Sequence, residues 1–289
     1  MIPCPFEYYA PATVAEAIAL LERFGDEARI LAGGHSLLPA MKLRLATPAV
    51  LIDITRIAEL RGIAVEGMAR IGATATWAEI ERHAELRRAV PALPEAVELI
   101  GDPQVRNRGT LGGSLAHADP AADAPALILA LDARIEARGP AGGRSIPADA
   151  FFTDMLTTAL APSEVLTAVV IPPLGAGEGA AYVKYRHPAS GYAIVGAAAY
   201  VRLAGGQVSA CRVAVTGAGP VPTRRSAVEQ AMLGSDGAAE AIAAAAARAG
   251  EDMEVLGDLH AGEEYRRAMV AVYTRRALTA AVERARKAI

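Results

Sequence analysis

The sequence predicts an α+β protein: two small α/β units in succession, then an antiparallel sheet with a helical bundle. Three observations lead there. The chain has 289 residues, which at roughly 100–200 residues per domain allows two domains and a small third. Its N-terminal part alternates helical periodicity with short apolar runs, one of which ends in paired glycines. Its last third instead sets three strand-like runs one after another and then only helical segments.

Residues 13–24, TVAEAIALLERF, carry Val14, Ala17, Ile18 and Leu21 at helical spacing, with Thr13 and Glu16 placed as a capping box. The run ARILAGG follows as a short apolar strand entering paired glycines, and VLIDI, residues 50–54, reads as a second buried strand. In the next unit RIGAT, residues 70–74, is strand-like, Thr76 caps a helix through His83, and another helix spans about Pro94 to Ile100. Residues 101–123, GDPQVRNRGTLGGSLAHADPAAD, form the densest turn region of the chain. Helix returns at about 124–131, a strand at about 133–138, and a buried strand at EVLTAVVIP, residues 164–172. Residues 180–186, 193–203 and 207–216 read as three strands, the last two joined by AGGQ, which suits a tight hairpin. Ala-rich helices follow at about 225–233 and 237–249, and a long helix from about Gly262 to Lys287 closes the chain. Its apolar residues are not confined to one stripe, which implies more than one packing neighbour. These changes of texture put domain boundaries near 57 and 175, giving units 1–57, 58–175 and 176–289.

Composition narrows the function. Lys plus Arg number 29 against 32 Asp plus Glu, so no basic nucleic-acid footprint is expected. With 53% hydrophobic and 21% charged residues the chain is not disordered, and with only 4% aromatics its core is aliphatic. Two cysteines, Cys4 and Cys211, cannot supply the four thiolates of an iron–sulfur cluster, nor a disulfide framework. The five histidines show no metal-binding spacing. The N-terminus MIPCPFEYYAP is not a secretory signal, and no apolar run approaches the roughly 20 residues of a membrane span. The expectation is a cytoplasmic protein with reduced thiols.

Two segments have the makings of an anion cradle. Ala32-Gly33-Gly34-His35-Ser36 directly follows a strand, where paired glycines permit a sharp turn and close backbone approach, and Ser36 adds a hydroxyl. Gly109-Thr110-Leu111-Gly112-Gly113-Ser114 sets the hydroxyls of Thr110 and Ser114 among small residues. Neither is a Walker A loop, and neither fits Gly-x-Gly-x-x-Gly. Taken singly, either is more often just a turn. As a pair, in separate units roughly 75 residues apart, they suggest two loops enclosing one pyrophosphate, with main-chain amides of both supplying most of the binding.

Four blocks then stand in order along the chain. They are LAGGHSLLPAMKLRLATPAVLIDI (31–54), VRNRGTLGGSLAHADPAADAPALILALDA (105–133), KYRHPASGYAIVGAAAYV (184–201) and GDLHAGEEYRRAMVAVYTRRAL (257–278). On these blocks the chain resembles the FAD-binding medium subunits of the molybdenum hydroxylase (xanthine dehydrogenase) family, most of all those of carbon monoxide dehydrogenase. The resemblance implies a two-part FAD-binding domain of the vanillyl-alcohol oxidase (PCMH) type, followed by an antiparallel sheet and helical bundle.

It also implies roles. Ala32, Gly33, Gly34, His35, Ser36 and Leu37, with Thr110, Leu111, Gly112, Gly113 and Ser114, would hold the FAD pyrophosphate. His35 would shape its loop rather than act as a base. Asp123 would contact the adenosine side; its plainer reading is an N-cap for the helix beginning near Ala124. Leu166 would contact the cofactor, Lys184 would reach the flavin unless it is an exposed strand lysine, and Tyr192 would lie beside the isoalloxazine ring. Asp102 reads as a turn residue. Arg106, Arg108, Lys42 and Arg44 each read best as solvated charges.

FAD would be held non-covalently. Molybdopterin would sit on a large partner subunit and two [2Fe–2S] clusters on a small one, in a dimer of heterotrimers. This chain would take electrons from the clusters and pass them to an external acceptor, a quinone or NAD. The alternatives are a self-sufficient flavin reductase of similar fold, or the FAD subunit of a xanthine, aldehyde or N-heterocycle dehydrogenase. The substrate would be decided on the large subunit.

Overall fold

A computed structural model describes residues 2–289. The first unit is a three-stranded parallel sheet in which Val50–Asp53 lies between Glu7–Tyr9 and Ala28–Leu31. The helix Val14–Phe24 covers it, burying Val14, Ala17, Ile18 and Leu21 as the spacing requires. The Thr13 hydroxyl accepts the Glu16 N–H as expected, but the Glu16 carboxylate takes the N–H of Ala12 at 2.8 Å, so the box closes one residue earlier. At Thr76 the full capping box with Glu79 forms and starts Trp77–Arg82.

The second unit is not parallel. Its five-stranded sheet is antiparallel, in the order Ile63–Glu66, Met68–Gly72, Val165–Ile171, Arg134–Gly139, Gly142–Pro147. Short helices pack on one face around Leu86, Leu93, Leu115, Leu127 and Phe151, all buried.

The C-terminal sheet has four strands rather than three: Glu178–Arg186, Ala193–Ala204, Gln207–Thr216 and the short Thr223–Arg224. The turn between Ala204 and Gln207 is the hairpin that AGGQ predicts. Gly205 and Gly206 both take positive φ, at 58° and 79°, a geometry costly for other residues. One face of this sheet carries Tyr182, Ala198, Tyr200 and Ala214 into the core of the second unit. The other face packs on the helix Glu263–Lys287, so closely at Gly179 that a Cβ there would collide with the Ala281 carbonyl. The long helix also packs on Ala239–Ala247, so it does have two kinds of neighbour. No helix among the described residues is long and apolar enough to cross a membrane.

Candidate functional site

A cleft of about 520 Å³ opens where the three sheets meet. The strand Ala28–Leu31 ends at its mouth, and the turn that follows lines it from Ala32 to Leu37. The N–H groups of Gly33, Gly34, His35 and Ser36 donate to no carbonyl or side chain of the described residues. Gly34 has φ +77°, and Gly33 lies so close to the neighbouring segment that a Cβ would collide with the Arg108 carbonyl. The first motif is therefore a ring of free main-chain donors pressed directly against the second.

The second motif differs from the expectation of a loop. Leu111–His117 is a helix whose N-cap, Thr110, accepts the Gly113 N–H at 3.1 Å. The Leu111 and Gly112 amides donate to Ala75 and Ala73, and the Ser114 amide to Thr110. These four amides are thus committed inside the protein, and the reading that both motifs contribute main-chain donors is corrected: the first supplies them. The second supplies small surfaces and the hydroxyls of Thr110 and Ser114. Gly112 is a glycine because a Cβ would stand 2.6 Å from the Ala73 carbonyl oxygen. Leu111 is fully buried in the core and does not line the cleft.

A further wall comes from residues 119–123 and from the loop 190–192 before the strand Ala193–Ala204. Asp123, 6% exposed, lines the cleft without capping the helix Ala124–Ala130. Its carboxylate instead accepts the Tyr182 hydroxyl at 2.5 Å and the Lys184 ammonium at 2.9 Å. Burial pushes the Asp123 carboxyl up and the Lys184 ammonium down, and the attraction between the two charges opposes both shifts. Lys184 is neither exposed nor in contact with the cleft. Its second bond, 2.8 Å, goes to the carbonyl of Gly191, so it stands behind Asp123 and ties that residue to the 187–192 loop.

Tyr192 ends that loop, lines the cleft and keeps 41% exposure. Burial of its phenol, then the charge of Asp119, raise its pKa, so at neutral pH it is a protonated hydroxyl facing Ser36. The charge of Asp123 also acts on the Tyr192 phenol, so the two stand near each other along the cleft. Leu166 lines the cleft from the strand Val165–Ile171.

Several lining residues escaped the sequence reading: Leu21, Asp26 and Arg29 of the first unit, and Trp77, Val105, Leu160 and Pro162 of the second. None belongs to a glycine motif, and only the tertiary fold brings them there. Arg106 was also misread as solvated. It forms a 2.8 Å ion pair with Glu81 and donates to the Ile100 carbonyl, which fixes the short helix Pro103–Arg106 ahead of the second motif.

Residues 4–174 match the family model described as the FAD binding domain in molybdopterin dehydrogenase. The chain belongs to this family. Its residues 180–281 match the CO dehydrogenase flavoprotein C-terminal domain, so it is an FAD-binding medium subunit of the carbon monoxide and xanthine dehydrogenase group of oxidoreductases. It is 44% identical to the carbon monoxide dehydrogenase medium chain of Hydrogenophaga pseudoflava, covering 97% of this chain and 98% of that one. With the xanthine dehydrogenase FAD-binding subunit of Escherichia coli O157:H7 it shares 31% over 95% of each. A solved carbon monoxide dehydrogenase from Hydrogenophaga pseudoflava superposes with TM-score 0.96 at 45% identity, covering 98% of this chain and 99% of that chain.

In this medium subunit the C-terminal sequence block acts as a clamp on the sheet behind the cleft. Arg266, buried, donates to the carbonyls of Ile194 and Gly217 and to Asp258. Asp258 in turn accepts the N–H groups of His260 and Ala261. Partial burial works to raise the Asp258 carboxyl, but the two N–H donors and the guanidinium outweigh it and hold it at about 2. An aspartate titrates near 3.9 in an unfolded chain. The clamp's stabilisation is therefore whole above about pH 4 and is lost as pH falls toward 2. Asp258→Asn is expected to melt at a lower temperature than the parent at pH 7, with the gap closing below pH 4. A gap constant from pH 7 to pH 2 would show that the charge of Asp258 carries none of the effect.

Proposed function

We propose that the chain holds one FAD along the cleft and serves as the electron-transfer subunit of a molybdenum-containing dehydrogenase most like aerobic carbon monoxide dehydrogenase. Units 1–57 and 58–175 would grip the dinucleotide and unit 176–289 would close over it. The observation that carries this reading is the row of free N–H groups from Gly33 to Ser36, facing a cleft shared with Thr110, Ser114 and Tyr192. Four unpaired donors on a turn that only glycines can make suit a pyrophosphate, whose oxygens only accept. The fit extends to size: a cleft of about 520 Å³ lies in the range that takes a large ligand.

FAD supplies the redox chemistry: it takes up electrons and passes them on. The protein's part is position. The amides of the first motif hold the anionic linkage, and Thr110 and Ser114 lend hydroxyls beside it. Tyr192, a neutral phenol, covers the wall next to Asp123. Electrons would arrive from [2Fe–2S] clusters on a small partner subunit, themselves fed by a molybdopterin centre on a large one. They would leave to an external acceptor such as a quinone. Among the described residues no three His, Cys, Asp or Glu side chains group as a metal site, and the free cysteines are Cys4 and Cys211. The Cys211 thiol is pushed up to about 12, by burial first and then by Glu229, so it stays a thiol.

Purification of the chain with its co-expressed neighbours tests this reading. The expected product is a complex of three kinds of chain with flavin absorption in stoichiometric amount. A lone chain that oxidises a nicotinamide by itself would favour a self-sufficient reductase instead.

A further inference from the structure

We propose that His187 is a positioning residue for the cleft wall that carries Tyr192, and that it works by accepting main-chain N–H groups at its Nδ1. The identity of the ligand rests on the flavin reading above; the state of the wall does not. Residues 187–192 join the strands Glu178–Arg186 and Ala193–Ala204, and Ser190, Gly191 and Tyr192 line the cleft. The loop is closed on its main chain by His187 N–H to the Tyr192 carbonyl, 2.8 Å, and Gly191 N–H to the His187 carbonyl, 3.0 Å. The imidazole is bonded within it. Nδ1 accepts the N–H of Ser190 at 3.0 Å and that of Ala189 at 3.3 Å, with the Ser190 hydroxyl at 3.1 Å.

A main-chain N–H can only donate. Nδ1 must then present a lone pair, and the ring proton sits on Nε2. A proton added at Nδ1 replaces the acceptor with a donor that faces two N–H groups. Both would lose their partner, leaving the loop its main-chain closure, the Tyr192 N–H bond to the Ser190 hydroxyl and the Lys184 bond to Gly191.

The charged surroundings come from three places. Across the ring stands His260, on the 258–261 turn, with ring centroids 4.2 Å apart and planes at 72°. Asp258 on that turn is committed to Arg266. On the loop's own strand, the Arg186 guanidinium lies against Gly191, and the Lys184–Asp123 pair holds the carbonyl of the same glycine. The wall is therefore held through an uncharged acceptor, and affinity for whatever the wall covers falls when that acceptor is removed.

Amide hydrogen exchange over residues 186–193 in the purified complex, corrected for intrinsic rates, reads the loop without reference to the ligand; FAD retention is followed in parallel. At pH 7.5, protection over the loop is expected to fall about tenfold in His187→Ala relative to the parent, the loss of one or two neutral hydrogen bonds. His187→Asn, whose Oδ1 accepts in place of Nδ1, should keep the parent's protection. His260→Phe should keep it as well. Parent-like protection in His187→Ala, loss of protection in His187→Asn, or loss of protection in His260→Phe would each overturn the assignment. A loop that opens in His187→Ala while FAD retention stays constant would overturn its role as the wall. A loop that responds as expected in a complex that never holds FAD would overturn the flavin reading and leave the His187 assignment standing.

Discussion

Gly33→Val is expected to strip the protein of flavin while the C-terminal sheet stays folded. The reason is local. The Cα of Gly33 faces the carbonyl of Arg108 and the Cα of Gly109, all backbone, so the neighbour cannot turn aside as a side chain would. Gly109 is itself held by the indole of Trp77, which leaves no room for a Cβ there either. The two motifs must separate, and the free amides of residues 33–36 move with them. Overpacking of this kind costs about 1–3 kcal/mol, and loss of even two charge-assisted hydrogen bonds to a pyrophosphate weakens binding by at least about tenfold. Gly205→Ala is the matching control: it strains a residue at φ +58° in the distant hairpin, with open space around the new Cβ. It should lower the melting temperature and leave flavin content unchanged. If Gly33→Val retains flavin at the parent's stoichiometry despite lost stability, the contact between the motifs has no part in binding.

The sequence showed the first motif and the strands that aim it, because both are local signals. ARIL and VLID are short apolar runs, and the turn after ARIL needs glycines at the positions where they stand. The second motif was visible as composition but not as structure. Gly112 and Gly113 lower helix propensity by about 1 kcal/mol each relative to alanine, so propensity argued for a loop. The Thr110 cap and the close seat of Gly112 against Ala73 overrule it. Ile63–Glu66 and Gly142–Pro147 were missed because they are the outer strands of their sheet, mostly exposed and without a continuous apolar run. What no local pattern reports is pairing at a distance: Arg106 with Glu81, or Lys184 with an aspartate 61 residues away. Lys184 could be singled out by resemblance alone, and the resemblance placed it at the flavin rather than behind Asp123.

That pair yields the largest stability effect to be expected of one side chain. Lys184→Met preserves length and removes the charge, leaving Asp123 buried against Tyr182 without its paired ammonium. Breaking one partner of such a pair costs about 3–5 kcal/mol. The penalty should depend on pH in a definite sense. Without Lys184 the burial that already raises the Asp123 carboxyl is opposed only by the Tyr182 hydroxyl and the charge of Arg186, so the folded protein binds a proton more readily than the unfolded chain. Stability of the variant then improves as pH falls toward the unfolded value near 4 and worsens as pH rises through the raised one. Adding Asp123→Asn removes the stranded charge, and the double variant should recover most of the loss at pH 7, as urea titration would show. Recovery of stability need not bring recovery of flavin, because neither methionine nor asparagine holds the Gly191 carbonyl to the cleft. A double variant as unstable as Lys184→Met alone would mean that the ammonium acts mainly through Gly191, and that the buried ion pair is the lesser part of what joins the two halves of the site.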